Sequence, residues 1–140
     1  FLPTLLAAAG AAAPDGVEGT SFLPVLEGSA DALERDAVFW HYPHYGNQGG
    51  TPGSSVRSGR YKLIEFFETG RLELFDLETD IGESRDLADK FPEVRDRLHR
   101  QLVAWRESVD AKIPRPNPDY QAWTDRAPES RHLVAGIEFD

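Results

Sequence analysis

Apolar residues recur with two distinct periods along the chain. From 92 to 111, the positions Phe91, Val94, Leu98, Leu102, Trp105 and Val109 return at steps of three and four. That spacing predicts an amphipathic helix with a single apolar stripe. Pro92 suits its first turn, with Asp89 or Lys90 just before it. Further upstream the period drops to two. In 71–77 (RLELFDL), Leu72, Leu74 and Asp76 share one face, and Glu73, Phe75 and Leu77 share the other. Both faces carry apolar groups, so both are expected to be covered in part. Residues 61–67 (YKLIEFF), 54–58 and 37–42 (AVFWHY) read as further strands, rich in aromatic and β-branched side chains. Gly59-Arg60 and Glu68-Thr69-Gly70 supply tight turns, and 43–53 is a loop of Gly, Asn, Pro and Gln.

The first residues follow neither strand pattern. Residues 2–13 (LPTLLAAAGAAA) favour a helix, with Pro3 in its first turn and Gly10 as a stop. Pro14-Asp15-Gly16 signals a turn, and Thr20 or Ser21 can cap a short helical turn that ends by Gly28. The apolar faces of this segment have no partner within it, so it is expected to pack against something upstream. After Ile113 the run IPRPNPDYQAW holds three prolines in five residues, which argues against helix and ladder pairing. An extended tail is expected there, with Tyr120 and Trp123 as candidate anchors on another surface.

The fold class is therefore α+β: a small antiparallel sheet of three or four strands, packed with one long C-terminal amphipathic helix. Three parts are expected. Residues 1–30 close a neighbouring α/β domain, 31–113 form the sheet-and-helix subdomain, and 114–140 make the Pro-rich tail.

Composition narrows the function classes. The chain has 140 residues, 40% hydrophobic and 28% charged, with a net charge of −9. A surface of that sign repels phosphate backbones, which argues against nucleic acid as a partner. No apolar run is long enough to span a bilayer. Leu5–Ala13 has the length of a signal-peptide core but no basic flank, and Pro3 sits just inside its start, so it reads better as helix. With no cysteine, the chain offers no disulfide, thiolate metal site or cysteine nucleophile. It also lacks methionine and opens in mid-element, which leads us to expect a fragment.

Most familiar catalytic patterns are missing. There is no G-x-S-x-G elbow, Walker loop or dinucleotide fingerprint, and GNQGGTPG (46–53) follows neither glycine spacing. The acids Asp76, Glu78, Asp80, Glu83, Asp86 and Asp89 suggest a calcium loop. An EF-hand starting at Asp76 would need Gly at its sixth position and Glu at its twelfth; the chain has Ile81 and Leu87. A solvated connection is the better reading, and His99 is read as a surface residue of the helix. One cluster stands out, Phe39-Trp40-His41-Tyr42-Pro43-His44-Tyr45 at a strand end before a glycine-rich loop. His41 and His44 can bind a metal or donate to an anion, and Arg57, Arg60 and Lys62 follow close in sequence.

Several stretches resemble the C-terminal region of type I, arylsulfatase-like sulfatases of the alkaline-phosphatase-like superfamily. They are Leu2-Pro3-Thr4-Leu5-Leu6 with Ala9-Gly10, Pro14 and Gly19–Leu26; Val38–Tyr45; Val56-Arg57-Ser58-Gly59-Arg60-Tyr61-Lys62-Leu63-Ile64; and Glu73–Asp80 with Gly82-Glu83 and Asp86-Leu87-Ala88. Each is weak alone; their order and spacing are specific. The resemblance implies a parent enzyme that hydrolyses sulfate esters. Its nucleophile would be a formylglycine made from C/S-x-P-x-R, with one Ca²⁺ polarising the sulfate. This chain contains no such motif, and the family's calcium ligands lie upstream of residue 1. No catalytic or metal residue carries over, so the fragment alone is expected to be inactive. The resemblance implies as partners the N-terminal sulfatase domain of the same chain and a sulfated small molecule or glycan. The setting it implies is the periplasm or the cell exterior. It makes His41, His44 and Tyr45 the candidates for substrate contact at the rim of the cleft. Two alternatives stand beside it: a free-standing α+β module that binds carbohydrate or protein, and a phosphoesterase of the same superfamily.

Overall fold

The computed structural model describes residues 1–118, except 34 and 48, together with the pair 137–138. The chain divides into two compact units, Phe1–Asp36 and Ala37–Asp140.

The first unit holds two short helices, α1 (Leu2–Ala8) and α2 (Leu23–Leu26). α1 ends at the expected stop, where Gly10 turns left-handed at φ +69°. The Ala11 N–H then reaches back to the Leu6 carbonyl and the Gly10 N–H to the Ala7 carbonyl. This pair of bonds satisfies carbonyls that the end of a helix leaves open. The N-cap of α2 is Phe22, without a side-chain bond, rather than Thr20 or Ser21; the Ser21 hydroxyl instead accepts from the Leu23 N–H just ahead at 3.2 Å. Thr4 is buried, and its hydroxyl accepts from the Phe22 N–H at 3.1 Å, so the start of α1 is tied to the start of α2.

The second unit carries the sheet. Strands β1 (Val38–Tyr42), β2 (Gly53–Ser58), β3 (Tyr61–Phe66) and β4 (Arg71–Asp76) pair in sequence order, all antiparallel. Between β2 and β3 a two-residue turn places Gly59 at φ +56°, where a side chain is disfavoured. Gly53 is required for a different reason: a Cβ there would meet the Glu65 carbonyl oxygen at 2.7 Å.

Helix α3 (Pro92–Ser108) lies on one face of this sheet. The register aligns Phe39, Val56, Leu63 and Leu74 in one row across the four strands. Leu98 and Leu102 of α3 close over that row, and Val56, Leu63, Leu74, Leu98 and Leu102 are all 0% exposed. Phe39 stacks on Trp105, ring centroids 4.8 Å apart and planes 3° from parallel. The outer members of the apolar stripe, Phe91 and Val109, stay exposed. The N-cap is Phe91, without a side-chain bond, and Pro92 sits in the first turn as expected. On the opposite face of the sheet Phe75 is buried, whereas Trp40 and Tyr42 are 49% and 56% exposed.

The acidic run 76–89 is a largely exposed connection, and two of its carboxylates also order its backbone. Asp86 accepts from the N–H groups of Leu74 and Ala88, and Asp80 accepts from the N–H groups of Ser84 and Arg85. These carboxylates replace backbone acceptors along an irregular path between β4 and α3.

The expected Pro-rich tail falls mostly outside the described residues, as do Tyr120 and Trp123. Its start differs from expectation, because Arg115–Pro116 (β5) pairs antiparallel with Ile137–Glu138 (β6). Proline lacks an N–H but keeps its carbonyl, so a two-residue edge pairing tolerates it.

Candidate functional site

The candidate residues gather at one end of the sheet, where β1 ends, β2 begins, β3 ends and β4 begins. On the helix-facing side, His41, Ser54, Glu65 and Leu72 form a cross-strand row there. The glycine-rich loop leaves from β1 and returns to β2 at this end. Its own turn is closed by the Gly46 N–H donating to the Gly50 carbonyl at 2.9 Å. The Phe67 N–H donates to the Pro52 carbonyl at 3.0 Å, which anchors the loop's return beside the β3–β4 turn.

His41 is held at both ring nitrogens. Nδ1 lies 2.7 Å from the Ser54 hydroxyl and Nε2 lies 2.8 Å from the Lys112 carbonyl oxygen. A carbonyl can only accept, so Nε2 carries the proton. In the neutral ring, Nδ1 then accepts from the buried Ser54 hydroxyl.

Tyr45 donates its hydroxyl to Glu68 Oε1 at 2.6 Å, which links the loop to the β3–β4 turn. His44 is exposed and meets the Tyr42 ring edge-on, at 5.5 Å between centroids. The three candidates thus share one end of the sheet with different surroundings: His41 between Ser54 and the Lys112 carbonyl, Tyr45 against the turn, His44 exposed.

The cations expected nearby are elsewhere. Antiparallel pairing sets Arg57 opposite Val38 and carries Arg60 to the turn at the far end of the sheet. Arg60 is paired with Asp76 and, at 3.1 Å, with Glu78; Lys62 is paired with Glu83 at 2.6 Å. The Arg60 side chain holds the Asp76 carboxyl below the usual carboxylate range, helped by hydrogen bonds from Thr79 and the Glu78 backbone.

Sequence reasoning missed a polar cluster between sheet and helix. Arg106, its side chain 10% exposed, donates from Nη1 to Glu65 Oε2 at 2.7 Å. Its guanidinium carbon lies 5.3 Å from the Phe67 ring centroid, within cation–π range. His99 is not a simple surface residue, because its Nε2 is buried 3.2 Å from the same Glu65 oxygen, without hydrogen-bonding geometry. The available signal was Glu65 itself. It breaks the apolar alternation Tyr61, Leu63 on the core-facing side, and a carboxylate in that position calls for a cation on the covering helix.

Among the described residues, no three His, Asp or Glu side chains converge so as to hold a metal ion. Nor is any described helix long and apolar enough to cross a membrane.

The profile of a known family, described as N-sulphoglucosamine sulphohydrolase, C-terminal, matches residues 1–108. The chain belongs to this family. Relatives of the sulphohydrolase C-terminal family support the assignment. The chain is 33% identical to a Δ4,5-hexuronate-2-O-sulfatase of Bacteroides thetaiotaomicron, over 97% of its own length and 27% of the relative's. Among solved structures, a 2-O GAG sulfatase matches at TM-score 0.68 and 29% identity, over 79% of this chain and 24% of that one. The phosphonate monoester hydrolase of Agrobacterium radiobacter matches at TM-score 0.55 and 25% identity, over 76% and 24%. The chain therefore spans about a quarter of the length of the proteins it matches. The resemblance to sulfatases, and the sheet-and-helix architecture of their C-terminal subdomain, are both borne out.

Proposed function

We propose that this chain is the C-terminal subdomain of a sulfatase that hydrolyses sulfate esters. It completes the fold of that enzyme and supplies part of the rim of its substrate cleft. The observation that carries this reading is the unbroken family match over residues 1–108. Residues 1–30 then close the catalytic domain, and the sheet and helix form the subdomain proper. One Bacteroides relative is named a Δ4,5-hexuronate-2-O-sulfatase, which supports a sulfated sugar as the substrate class.

The partner is the N-terminal sulfatase domain of the same protein, with Ca²⁺ and formylglycine in that domain. The residues of this chain do not fit either group: it has no cysteine and no S-x-P-x-R, and its described carboxylates and histidines do not converge on a metal. No catalytic step is assigned to it, and the chain alone has no turnover. Its contribution is the strand-end loop, with His44 and Tyr45 at the rim and His41 at the end of the strand that leads into it. The setting is the periplasm or the cell exterior.

Reading the coding frame upstream of Phe1 tests this. A Cys- or Ser-x-Pro-x-Arg motif with nearby aspartates is the expected result. A start codon close to Phe1 without that motif overturns the enzyme reading and leaves a binding module. The likeness to a phosphonate monoester hydrolase favours a second reading, a phosphoesterase parent, with a lower TM-score behind it.

A further inference from the structure

The sequence makes His41, His44 and Tyr45 look equivalent, all polar aromatic residues within five positions. His41 is held from two sides. His41 Nε2 is spent on the Lys112 carbonyl, 71 residues later in the chain, and Nδ1 on Ser54. Neither nitrogen is left to donate to an anion. The ring also packs near Phe67, centroids 5.6 Å apart, on the helix-facing side of the sheet.

The partner carbonyl is brought into place by an unusual helix end. After α3, Asp110 adopts φ +50°, a left-handed conformation normally given to glycine. The Ala111 N–H returns to the Arg106 carbonyl at 3.0 Å and the Asp110 N–H to the Glu107 carbonyl at 3.3 Å. The chain reverses at that point and offers the Lys112 carbonyl to His41. The root of the glycine-rich loop, at the end of β1, is thereby fastened to the segment leaving α3.

We infer that His41 is a positioning residue: its Nε2–H ties the exit of α3 to the root of the rim loop, and so fixes where that loop presents His44 and Tyr45. This rests on the sulfatase reading for its functional consequence, but not for its geometry. A substrate-contacting histidine must have a nitrogen that faces the cleft; this one has both nitrogens committed inside the subdomain.

The test uses the full-length enzyme that contains this chain. His41→Gln keeps a donor near the Nε2 position, His41→Asn keeps a polar group only near Nδ1, and His41→Ala keeps neither. The expected result is a KM for the sulfated sugar raised on the order of tenfold in the Ala and Asn variants, since a misplaced rim weakens binding. kcat should stay within about twofold and the Gln variant should recover most of the loss. A kcat loss without a KM change, or a Gln variant as impaired as Ala, overturns the inference. The wild-type protein gives a second readout that survives misfolding of any variant. Imidazole ¹⁵N shifts should report the Nε2–H tautomer, unchanged when substrate is added. A shift of that nitrogen on substrate binding would make His41 a contact residue. If the wild type releases no sulfate at all, the functional reading fails. The tautomer measurement then still decides the tie between His41 and Lys112.

Discussion

Arg106 reaches from the last turns of α3 to Glu65 on β3, its Nη1 2.7 Å from Oε2, with both side chains largely removed from water. The pair sits one row beyond the apolar row that joins sheet and helix. Leucine packing is forgiving of small slides; a guanidinium that must meet one carboxylate is not. Glu65–Arg106 therefore fixes the register of α3 on the sheet, at the end where the candidate rim loop departs.

Removing one member should be costly and removing both should not. Arg106→Ala is expected to destabilise the protein by about 3 kcal/mol, because Glu65 is left buried without its cation. Glu65→Leu combined with Arg106→Met should fall within about 1 kcal/mol of wild type. Urea unfolding of the single and double variants measures both.

The apolar contact is tested separately. Leu98→Ala or Trp105→Ala should cost about 2–5 kcal/mol, the range for emptying a packed position. Leu98 is fully buried, and Trp105 stacks on Phe39. A loss below about 0.5 kcal/mol for either would contradict the packing of α3 on the sheet.

At the exit of α3, Asp110 holds a left-handed backbone with a β-carbon, a conformation that glycine adopts without penalty. Asp110→Gly should raise stability by about 1 kcal/mol, read as an upward shift in melting temperature. No gain would mean that the left-handed turn costs the aspartate nothing.

Much of this subdomain is legible in the sequence. Leu98, Leu102 and Trp105 announce the helix by their spacing, and Gly59 and Gly70 mark where strands turn. What stays hidden depends on register. Arg57, Arg60 and Lys62 lie close to His44 in sequence, but an antiparallel turn carries Arg60 to the other end of the sheet. Glu65 and Arg106 are 41 residues apart, and only the packing of α3 makes them neighbours. Asp110 carries no glycine signal for the turn it makes. In the acidic run, Asp80 and Asp86 look solvated because their partners are backbone N–H groups, which a sequence does not display.

Acid should weaken the pairing of Arg60 with Asp76. The Asp76 carboxyl is held below the usual carboxylate range, chiefly by its hydrogen bond with Arg60. Its contribution is therefore fully present above about pH 4 and is lost as pH falls through its lowered value. Asp76→Asn should lower stability at neutral pH and flatten the fall in stability below about pH 4. Melting temperatures collected between about pH 2 and 7 would show it. An unchanged acid limb would mean that Asp76 titrates alike in the folded and unfolded chain.

The most direct measurement is sulfate release by the full-length protein containing this chain, assayed on a 2-O-sulfated unsaturated hexuronate and, in parallel, on a phosphonate monoester. The account expects inorganic sulfate from the sulfated sugar and none from this chain expressed alone. Turnover of the phosphonate with no sulfate release from sulfated sugars would contradict it and make the parent a phosphoesterase.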